Sequence, residues 1–383
     1  MNWHGIEPLD VLFLRGNKLF GDPGSYGEAL VPPWPSAAAG AIRSAILARD
    51  AVDLAAFGRG ETPPHDTLGT PDAPGVFRVT AFHLARQVDG RWQALYAPPA
   101  DLVIARANDD AITIQRLRPQ TPAPGIQSSV PTERLAVLAQ SQRAKPDSGW
   151  WLTETGYRAY LDGDTPEPPE KAQEKNDHMI RSNQLWQMDE RVGVGLDVAR
   201  RRADDGKLFT VQAVAFCDGV GFLAAAEGDA LPGETLLRFG GDGRGVRCAP
   251  LNDYQPPLAD LDAICQSRRA RIVLTSPGIF PAGWRLPGMD DEGNFELLGV
   301  HGRVVAAAVD RAEVVSGWDL AKWQPKAAQR AAPTGSVYWI EDLQATPEAL
   351  RKLVDHGLWP EAGYDARRRA EGFNRFDWGV WNA

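Results

Sequence analysis

Residues 6–14, IEPLDVLFL, are the stretch on which the fold prediction depends. The run is almost wholly apolar, which predicts a strand at the centre of a sheet. A long Gly/Pro-rich loop follows, and Ser36 stands where it would cap the apolar helix AAAGAIRSAILARD at 37–50. Strand, long loop and helix in this order indicate the start of a ferredoxin-like or RRM-like unit.

The rest of the chain alternates irregularly between strand-like and helix-like runs. Asp89-Gly90 and Asp218-Gly219 are typical of hairpin turns, and helices are predicted near 154–161, 258–270 and 347–359. The polar, Pro/Glu/Lys-rich residues 165–178 indicate an exposed insertion or linker. We therefore predict an α+β protein of two ferredoxin-like (RRM-like) modules with long Gly/Pro-rich loop insertions, at residues 1–178 and 179–383.

Composition narrows the class of protein. The 383 residues carry 41 Lys plus Arg against 50 Asp plus Glu, a net charge of −9, which argues against free, non-specific nucleic-acid binding but leaves room for a local basic groove. No apolar run approaches the roughly 18 residues of a membrane span, and the N-terminus has no signal-peptide pattern. The cysteines Cys217, Cys248 and Cys265 are widely spaced, which indicates free thiols in a reducing cytoplasm.

The sequence LLRFGGDGRGVRC, residues 236–248, combines four glycines with three arginines. It lacks the GxxxxGK[ST] pattern of a phosphate-binding loop, and its flanks predict a β-hairpin instead of the β–α unit of a dinucleotide-binding fold. Two interpretations remain open: a plain hairpin turn at Asp242-Gly243, or a loop that faces the phosphates of a ligand.

Support for an enzyme is weak. His4 and His178 are the candidate general bases among six histidines, and no paired-carboxylate or HxxxH motif accompanies them. The acidic pairs and triplets stand beside turn residues, which favours solvated turns over metal sites.

Basic clusters are more informative. Arg200-Arg201-Arg202 precede a strand, while Arg15 and Lys18 follow the first strand. Basic groups on loops beside aromatic strands fit backbone recognition of single-stranded RNA. Arg268, Arg269 and Arg271 are interpreted differently, as cations that end a helix and interact with its dipole.

Five motifs in order resemble one family. PLDVLFLRGNKLFG (8–21) with PPWPSAAAGAIRSAIL (32–47), DERVGVGLDVARRRADDGKLFTVQAVAF (189–216), FGGDGRG (239–245), VVSGWDLAKWQPKAAQRAAPTGSVYWIE (314–341) and EGFNRFDWG (371–379) resemble the RAMP superfamily, in particular the third subunit of the Cmr (type III-B CRISPR–Cas) effector complex. Two departures are Asp242, where the family usually has Glu, and a tail loop with fewer glycines.

The resemblance implies a subunit without catalytic activity or cofactor. Its partners would be the 5′ tag of the crRNA, the large polymerase-like subunit and the backbone RAMP subunits, with target RNA contacted only indirectly. Carried onto this sequence, the RNA-binding residues would be Arg15, Lys18, Arg43, Arg200, Arg201, Gly240, Gly241, Arg244, Arg247, Lys326, Arg330, Gly372, Asn374 and Arg375. The alternatives are a RAMP endoribonuclease that processes precursor crRNA, with His4 as base, and a protein-only scaffold.

Overall fold

The computed structural model describes residues 2–16, 26–107, 109–126, 128, 132–139, 145–197, 199–229, 231–319, 322 and 324–382. Within them the helices are α1 Pro35–Arg49, α2 Leu54–Gly58, α3 Glu154–Leu161, α4 Leu261–Ser267, α5 Pro347–His356 and α6 Ala366–Ala370, with a 3-10 turn at Ser182–Gln184.

The strands, in chain order, are β1 Asn2–Pro8, β2 Tyr26–Gly27, β3 Arg78–Val88, β4 Arg91–Leu95, β5 Leu102–Arg106, β6 Ile112–Arg116, β7 Arg118–Gln120, β8 Leu135–Val137, β9 Lys145–Pro146, β10 Trp150–Leu152, β11 Met179–Arg181, β12 Trp186–Asp197, β13 Arg202–Phe216, β14 Val220–Glu227, β15 Thr235–Phe239, β16 Arg244–Leu251, β17 Ala270–Leu274, β18 Asn294–Leu297, β19 Val300–Ala308, β20 Glu313–Val315, β21 Trp318–Asp319, β22 Gln324–Pro325, β23 Gln329–Ala331, β24 Val337–Gln344 and β25 Phe376–Val380.

Strand residues outnumber helix residues, at 42% against 15%. The sheets are mostly antiparallel and the helices are few, so the fold class is α+β, as predicted. No helix in the described part of the chain is long and apolar enough to cross a membrane.

The chain forms two compact units, each built from three segments. Unit 1 comprises residues 1–92, 183–253 and 314–329, and unit 2 comprises residues 93–182, 254–313 and 330–383. The units divide the chain differently from the predicted ranges 1–178 and 179–383, because strands far apart in sequence pair within one sheet. The prediction that those two ranges are modules stays a prediction.

The main sheet of unit 1 has the order β15-β16-β1-β14-β3-β4. Its strands pair antiparallel, with Ile6 opposite Phe222 on β14 and opposite Cys248 on β16. Helix α1 contacts β3 and β15. Three aromatic rings meet in its buried core. The centre of the Phe82 ring lies 5.3 Å from that of Phe222 and 6.3 Å from that of Phe239.

Two predictions at the start of the chain are wrong in detail. The first strand is Asn2–Pro8, and after it Leu12 and Phe13 form isolated bridges to Val214 and Gly241. Pro8 ends the ladder because it has no N–H to donate. Helix α1 begins at Pro35, and Trp34 is its N-cap without a side-chain hydrogen bond, so Ser36 is inside the first turn and does not cap it.

The predicted hairpin at Asp218-Gly219 is also wrong. The turn exists, since Val220 N–H donates to Cys217 O at 3.0 Å, but β13 and β14 belong to different sheets. Strand β13 pairs instead with β12, from Trp186 opposite Phe216 to Asp197 opposite Arg202. By contrast, the hairpin at Asp89-Gly90 is confirmed, with both residues at positive φ between β3 and β4.

The main sheet of unit 2 has the order β18-β19-β24-β17-β25, with antiparallel pairs throughout. Helices α4 and α5 both contact β25, and α5 also contacts β19. Buried Ile272, Tyr338, Ile340 and Trp378 contribute to its core.

Candidate nucleic-acid interface

The loop that joins β15 to β16 is a tight hairpin turn. Phe239 pairs with Arg244 at its base, and Gly240, Asp242 and Gly243 all have positive φ, at +73°, +58° and +60°. Glycine adopts this left-handed conformation without the penalty that a Cβ brings, which explains Gly240 and Gly243.

The two leading glycines approach the chain's own backbone. Gly241 N–H donates to Phe13 O at 2.7 Å. A Cβ at Gly240 would lie 2.7 Å from the same carbonyl oxygen, and a Cβ at Gly241 would lie 3.3 Å from the Phe13 Cβ. The close approach that the glycines permit is therefore to the segment after β1, within unit 1.

This contact makes Gly240 sensitive to substitution. We expect Gly240→Ala to lower the free energy of unfolding by about 1–3 kcal/mol, because alanine meets both the left-handed φ and the Phe13 oxygen. Urea unfolding and hydrogen exchange of a peptide covering 235–248 would measure the loss. Gly233→Ala is the matched control, since a Cβ there meets nothing within 4 Å; equal stability of the two variants would contradict the prediction.

Three arginines near the turn, Arg15, Arg244 and Arg247, each have an acidic partner at a partly exposed position. Arg15 lies 3.5 Å from Asp242, and Arg247 lies 3.4 Å from Glu7 and 3.5 Å from Glu234. Arg244 lies 3.2 Å from Asp10, and its guanidinium stands 4.9 Å from the centre of the Phe13 ring. The three arginines meet four carboxylates in these pairs, so the neighbourhood has no excess of positive charge.

These ion pairs are weak enough to be exchanged for an RNA phosphate. The side chains of Arg15, Arg244 and Arg247 are 40%, 30% and 48% exposed. Pairs exposed to this degree contribute about 0–1 kcal/mol each, whereas a phosphate can engage the guanidinium fork with two hydrogen bonds. The geometry therefore allows these arginines to bind phosphate, although it does not preassemble a basic groove.

Other predicted cations of unit 1 are spread over separate elements. Arg43 is half-buried on α1, and Lys326 is half-buried on the segment after β22. Arg200 and Arg201 are exposed in the turn between β12 and β13, where Arg200 N–H donates to Asp197 Oδ1 at 3.0 Å. Lys18 lies outside the described residues.

The predicted residues of unit 2 lie in a different environment. Arg330 is exposed on β23, but Asn374 is fully buried and Arg375 is 6% exposed. Asn374 Oδ1 accepts from Ile279 N–H at 2.6 Å, and its Nδ2 donates to Leu358 O at 2.9 Å.

These contacts give the tail loop a structural role. Arg375 N–H donates to Ser276 Oγ and its guanidinium donates to Asp355 O. Gly372, at φ +93°, forms the turn before them. We leave Gly372, Asn374 and Arg375 out of the interface proposed below, because their polar groups are engaged inside unit 2.

The two candidate general bases lie in different environments. His4 is fully buried on β1, and burial lowers the pKa of its imidazole. His178 accepts a hydrogen bond from Glu167 N–H through Nδ1 at 2.9 Å. In the described part of the chain, no group of three or more His, Cys, Asp or Glu residues could hold a metal ion.

The comparisons with known proteins identify the family. Residues 4–381 match the family model described as CRISPR-associated protein (Cas_Cmr3). The chain belongs to this family. The resemblance seen in the sequence motifs is thereby confirmed.

Two solved structures that resemble this Cas_Cmr3 chain are cryo-EM structures of the type III-B Cmr-beta. One is bound to cognate target RNA and AMPPnP (state 1), with 14% identity, a TM-score of 0.47, and coverage of 97% of this chain and 93% of that one. The other is bound to cognate target RNA, with 14% identity, a TM-score of 0.46, and coverage of 98% and 96%. No curated protein matches this chain.

Three arginines of unit 2 have positions that the sequence analysis does not predict. Arg271 does not end a helix, because α4 stops at Ser267 and Arg271 lies buried on β17. Arg116 and Arg118 stand two residues apart in the run RLRPQ, at the end of β6 and the start of β7. Alternate arginines in an extended run point to one side, and this spacing was the signal that could have drawn attention to them.

Proposed function

We propose that this Cas_Cmr3 protein is a non-catalytic, RNA-binding subunit of a type III-B CRISPR effector ribonucleoprotein. It holds the 5′ tag of the crRNA, contacts the large polymerase-like subunit and the backbone RAMP subunits, and meets target RNA only indirectly. The observation that carries the proposal is the family match, which extends over residues 4–381.

The topology supports a ferredoxin-like origin for both sheets. In a split βαβ unit, two strands joined by a helix flank a third strand. Strands β1 and β3, joined through α1, flank β14 in unit 1; β24 and β25, joined through α5, flank β17 in unit 2. We propose that each sheet is a modified ferredoxin-like module that retains one of its two crossover helices.

The charge distribution is consistent with one short RNA segment and several protein partners. The candidate RNA-contacting set consists of five of the exposed or partly exposed arginines in unit 1: Arg15, Arg200, Arg201, Arg244 and Arg247. On this chain of net charge −9, the arginines around the β15–β16 turn stand beside carboxylates, so their charge becomes available to a phosphate only when those exposed ion pairs are exchanged. Such a surface suits a specific, bound guide better than non-specific nucleic acid.

The test replaces the arginines around the β15–β16 turn. In the assembled complex, the triple variant Arg15→Gln, Arg244→Gln, Arg247→Gln is expected to bind guide RNA at least about tenfold more weakly. Each lost phosphate contact reduces the magnitude of the negative slope of log affinity against log salt by about 0.7 for a single strand. We therefore expect the magnitude of the slope to decrease by about 2. Filter binding at several salt concentrations would measure both.

A second triple variant controls for general loss of charge. Arg91→Gln, Arg158→Gln and Arg351→Gln remove the same charge from exposed positions on β4, α3 and α5. The control should bind guide RNA as the native protein does, and both triples should still co-purify with the protein partners. Equal guide retention and equal salt slopes for the two triples would contradict the proposed interface.

The two alternatives make different demands. An endoribonuclease needs a base that reaches the RNA, and the complete burial of His4 disfavours it in that role. A protein-only scaffold would give no covalent adduct when the assembled complex is irradiated with a photoreactive 5′-tag RNA, whereas the proposed subunit would.

A further inference from the structure

A small polar cavity in unit 2 has no role in the proposed function. Its volume is about 100 Å³, and arginines dominate the charged groups on its wall: Arg116, Arg118 and Arg271 stand with a single carboxylate, that of Asp101. The indole of Trp381 also lines it.

The buried part of the wall holds more positive than negative charge. Arg271 and Asp101 are almost fully buried, with Arg271 Nη1 3.3 Å from Asp101 Oδ2. Arg116 Nη2 lies 3.8 Å from the same oxygen, and the Tyr160 hydroxyl donates to Asp101 Oδ1 at 2.7 Å. Two guanidinium groups therefore share one carboxylate, which can neutralise only one of them.

Arg118 adds a third positive charge to the cavity wall. It is exposed, and within the described residues it forms no ion pair. The four charged side chains on the wall sum to about +2 at neutral pH, because arginine stays protonated there.

The excess charge affects the groups around it. Burial and the neighbouring Arg271 charge lower the pKa of Arg116. Two neighbouring positive charges inside a protein destabilise the folded state unless an anion compensates them. The other terminal nitrogen of each guanidinium is already used by the protein, since Arg271 Nη2 donates to Tyr160 O at 2.6 Å and Arg116 Nη1 donates to Gly163 O at 2.6 Å.

Size and donor chemistry select the anion. A cavity of about 100 Å³ has room for roughly three waters, at about 30 Å³ each in the liquid. One tetrahedral oxyanion fits this space and a nucleoside does not. Guanidinium groups match phosphate because their planar fork offers paired N–H donors.

We propose that unit 2 binds a phosphate group in this cavity, held by Arg118 and Arg116, with Arg271 and Asp101 fixing the position of Arg116. The phosphate is either a free ion or part of an RNA. The site goes beyond the proposed guide-binding function and does not rest on it, because its affinity for inorganic phosphate can be measured in the absence of RNA.

The test titrates the full chain with inorganic phosphate by calorimetry, at an ionic strength kept constant with chloride. The native protein should bind phosphate, and Arg118→Glu should bind it at least about tenfold more weakly, because the substitution replaces a ligating cation by an anion. Since Arg118 is exposed and forms no ion pair in the described part of the chain, the variant should fold normally.

The control is Arg158→Glu, which makes the same charge change at an exposed position on α3 outside the cavity wall. It should bind phosphate with native affinity. Absence of phosphate binding by the native protein, or equal binding by the two variants, would overturn the proposal.

A competition experiment then identifies the source of the phosphate. A short oligoribonucleotide that displaces inorganic phosphate from the native protein, but not when Arg118 is Glu, supports the site as an RNA phosphate contact. An oligoribonucleotide that leaves the phosphate affinity unchanged supports the site as one for the free ion.

Discussion

Replacing Arg271 by methionine is expected to destabilise unit 2 by about 3–5 kcal/mol, because it leaves a buried carboxylate without its nearest cation. Arg271 and Asp101 are 2% and 1% exposed. The lost guanidinium also donates from Nε to Val380 O at 3.1 Å. After the substitution, Arg116 at 3.8 Å is the remaining cation beside the carboxylate.

The hydroxyl of Tyr160 adds to the cost. Burial raises the pKa of Tyr160 well above its usual range, with the Asp101 charge acting in the same direction, so the hydroxyl stays protonated as a donor to Asp101. It can stabilise the carboxylate but cannot replace the charge of Arg271. Hydrogen exchange of peptides covering 270–274 would report the loss within unit 2 itself.

A double-mutant cycle isolates the ion pair. Asp101→Asn keeps the size of the side chain and removes its charge, so the double variant with Arg271→Met should cost less than the two single variants added together. We expect a coupling energy of about 1 kcal/mol or more, against the additivity within about 0.5 kcal/mol that independent sites show. Arg271→Lys, which keeps the charge, should retain part of the stability. Strict additivity of the two single variants in the cycle would contradict a stabilising ion pair between Arg271 and Asp101.

Local signals in the sequence were read correctly where short-range contacts decide the structure. Helix α3 follows Thr153, whose hydroxyl accepts from Gly156 N–H, and α5 follows Thr346, which caps it through Ala349 N–H. The turn at Asp89-Gly90 depends on two residues that tolerate positive φ. Each of these signals is complete within four residues, and the long-range contacts of the fold leave it in place.

Long-range pairing explains the errors. The runs on either side of Asp218-Gly219 have strand composition and a good turn, yet they enter different sheets because β12 and β1 are competing partners for them. The sequence around Arg271 indicates a helix-end cation, because its partner Asp101 is 170 residues away and the local pattern does not show it. A sequence without its fold cannot show which buried carboxylate an arginine will meet.

The candidate interface was predicted only in outline. The hairpin at 235–251 and the partly exposed arginines Arg15, Arg244 and Arg247 follow from the sequence pattern. Their carboxylate partners do not, since Asp10 meets Arg244 across 234 residues of chain. The glycines were expected to approach a ligand, and in the structure they approach Phe13.

Asn374, which the sequence predicts to bind RNA, forms hydrogen bonds inside unit 2, and its substitution is expected to have the second large effect. Its amide joins two segments of unit 2 by donating to Leu358 O and accepting from Ile279 N–H. Asn374→Ala leaves these buried backbone groups without hydrogen-bond partners, and each unsatisfied group lowers the free energy of unfolding by about 1–3 kcal/mol. It also places alanine at φ +60°. We expect a loss of about 3 kcal/mol or more in the free energy of unfolding.

Glycine at the same position separates the two causes. Asn374→Gly also removes the hydrogen bonds but tolerates the left-handed backbone, so it should be more stable than Asn374→Ala by about 1 kcal/mol. Urea unfolding of both variants measures this difference. Guide-RNA binding by the folded Asn374→Gly variant should keep the native salt slope, because no phosphate contact is lost; a slope lowered as in the Arg15, Arg244, Arg247 triple would return Asn374 to the RNA interface.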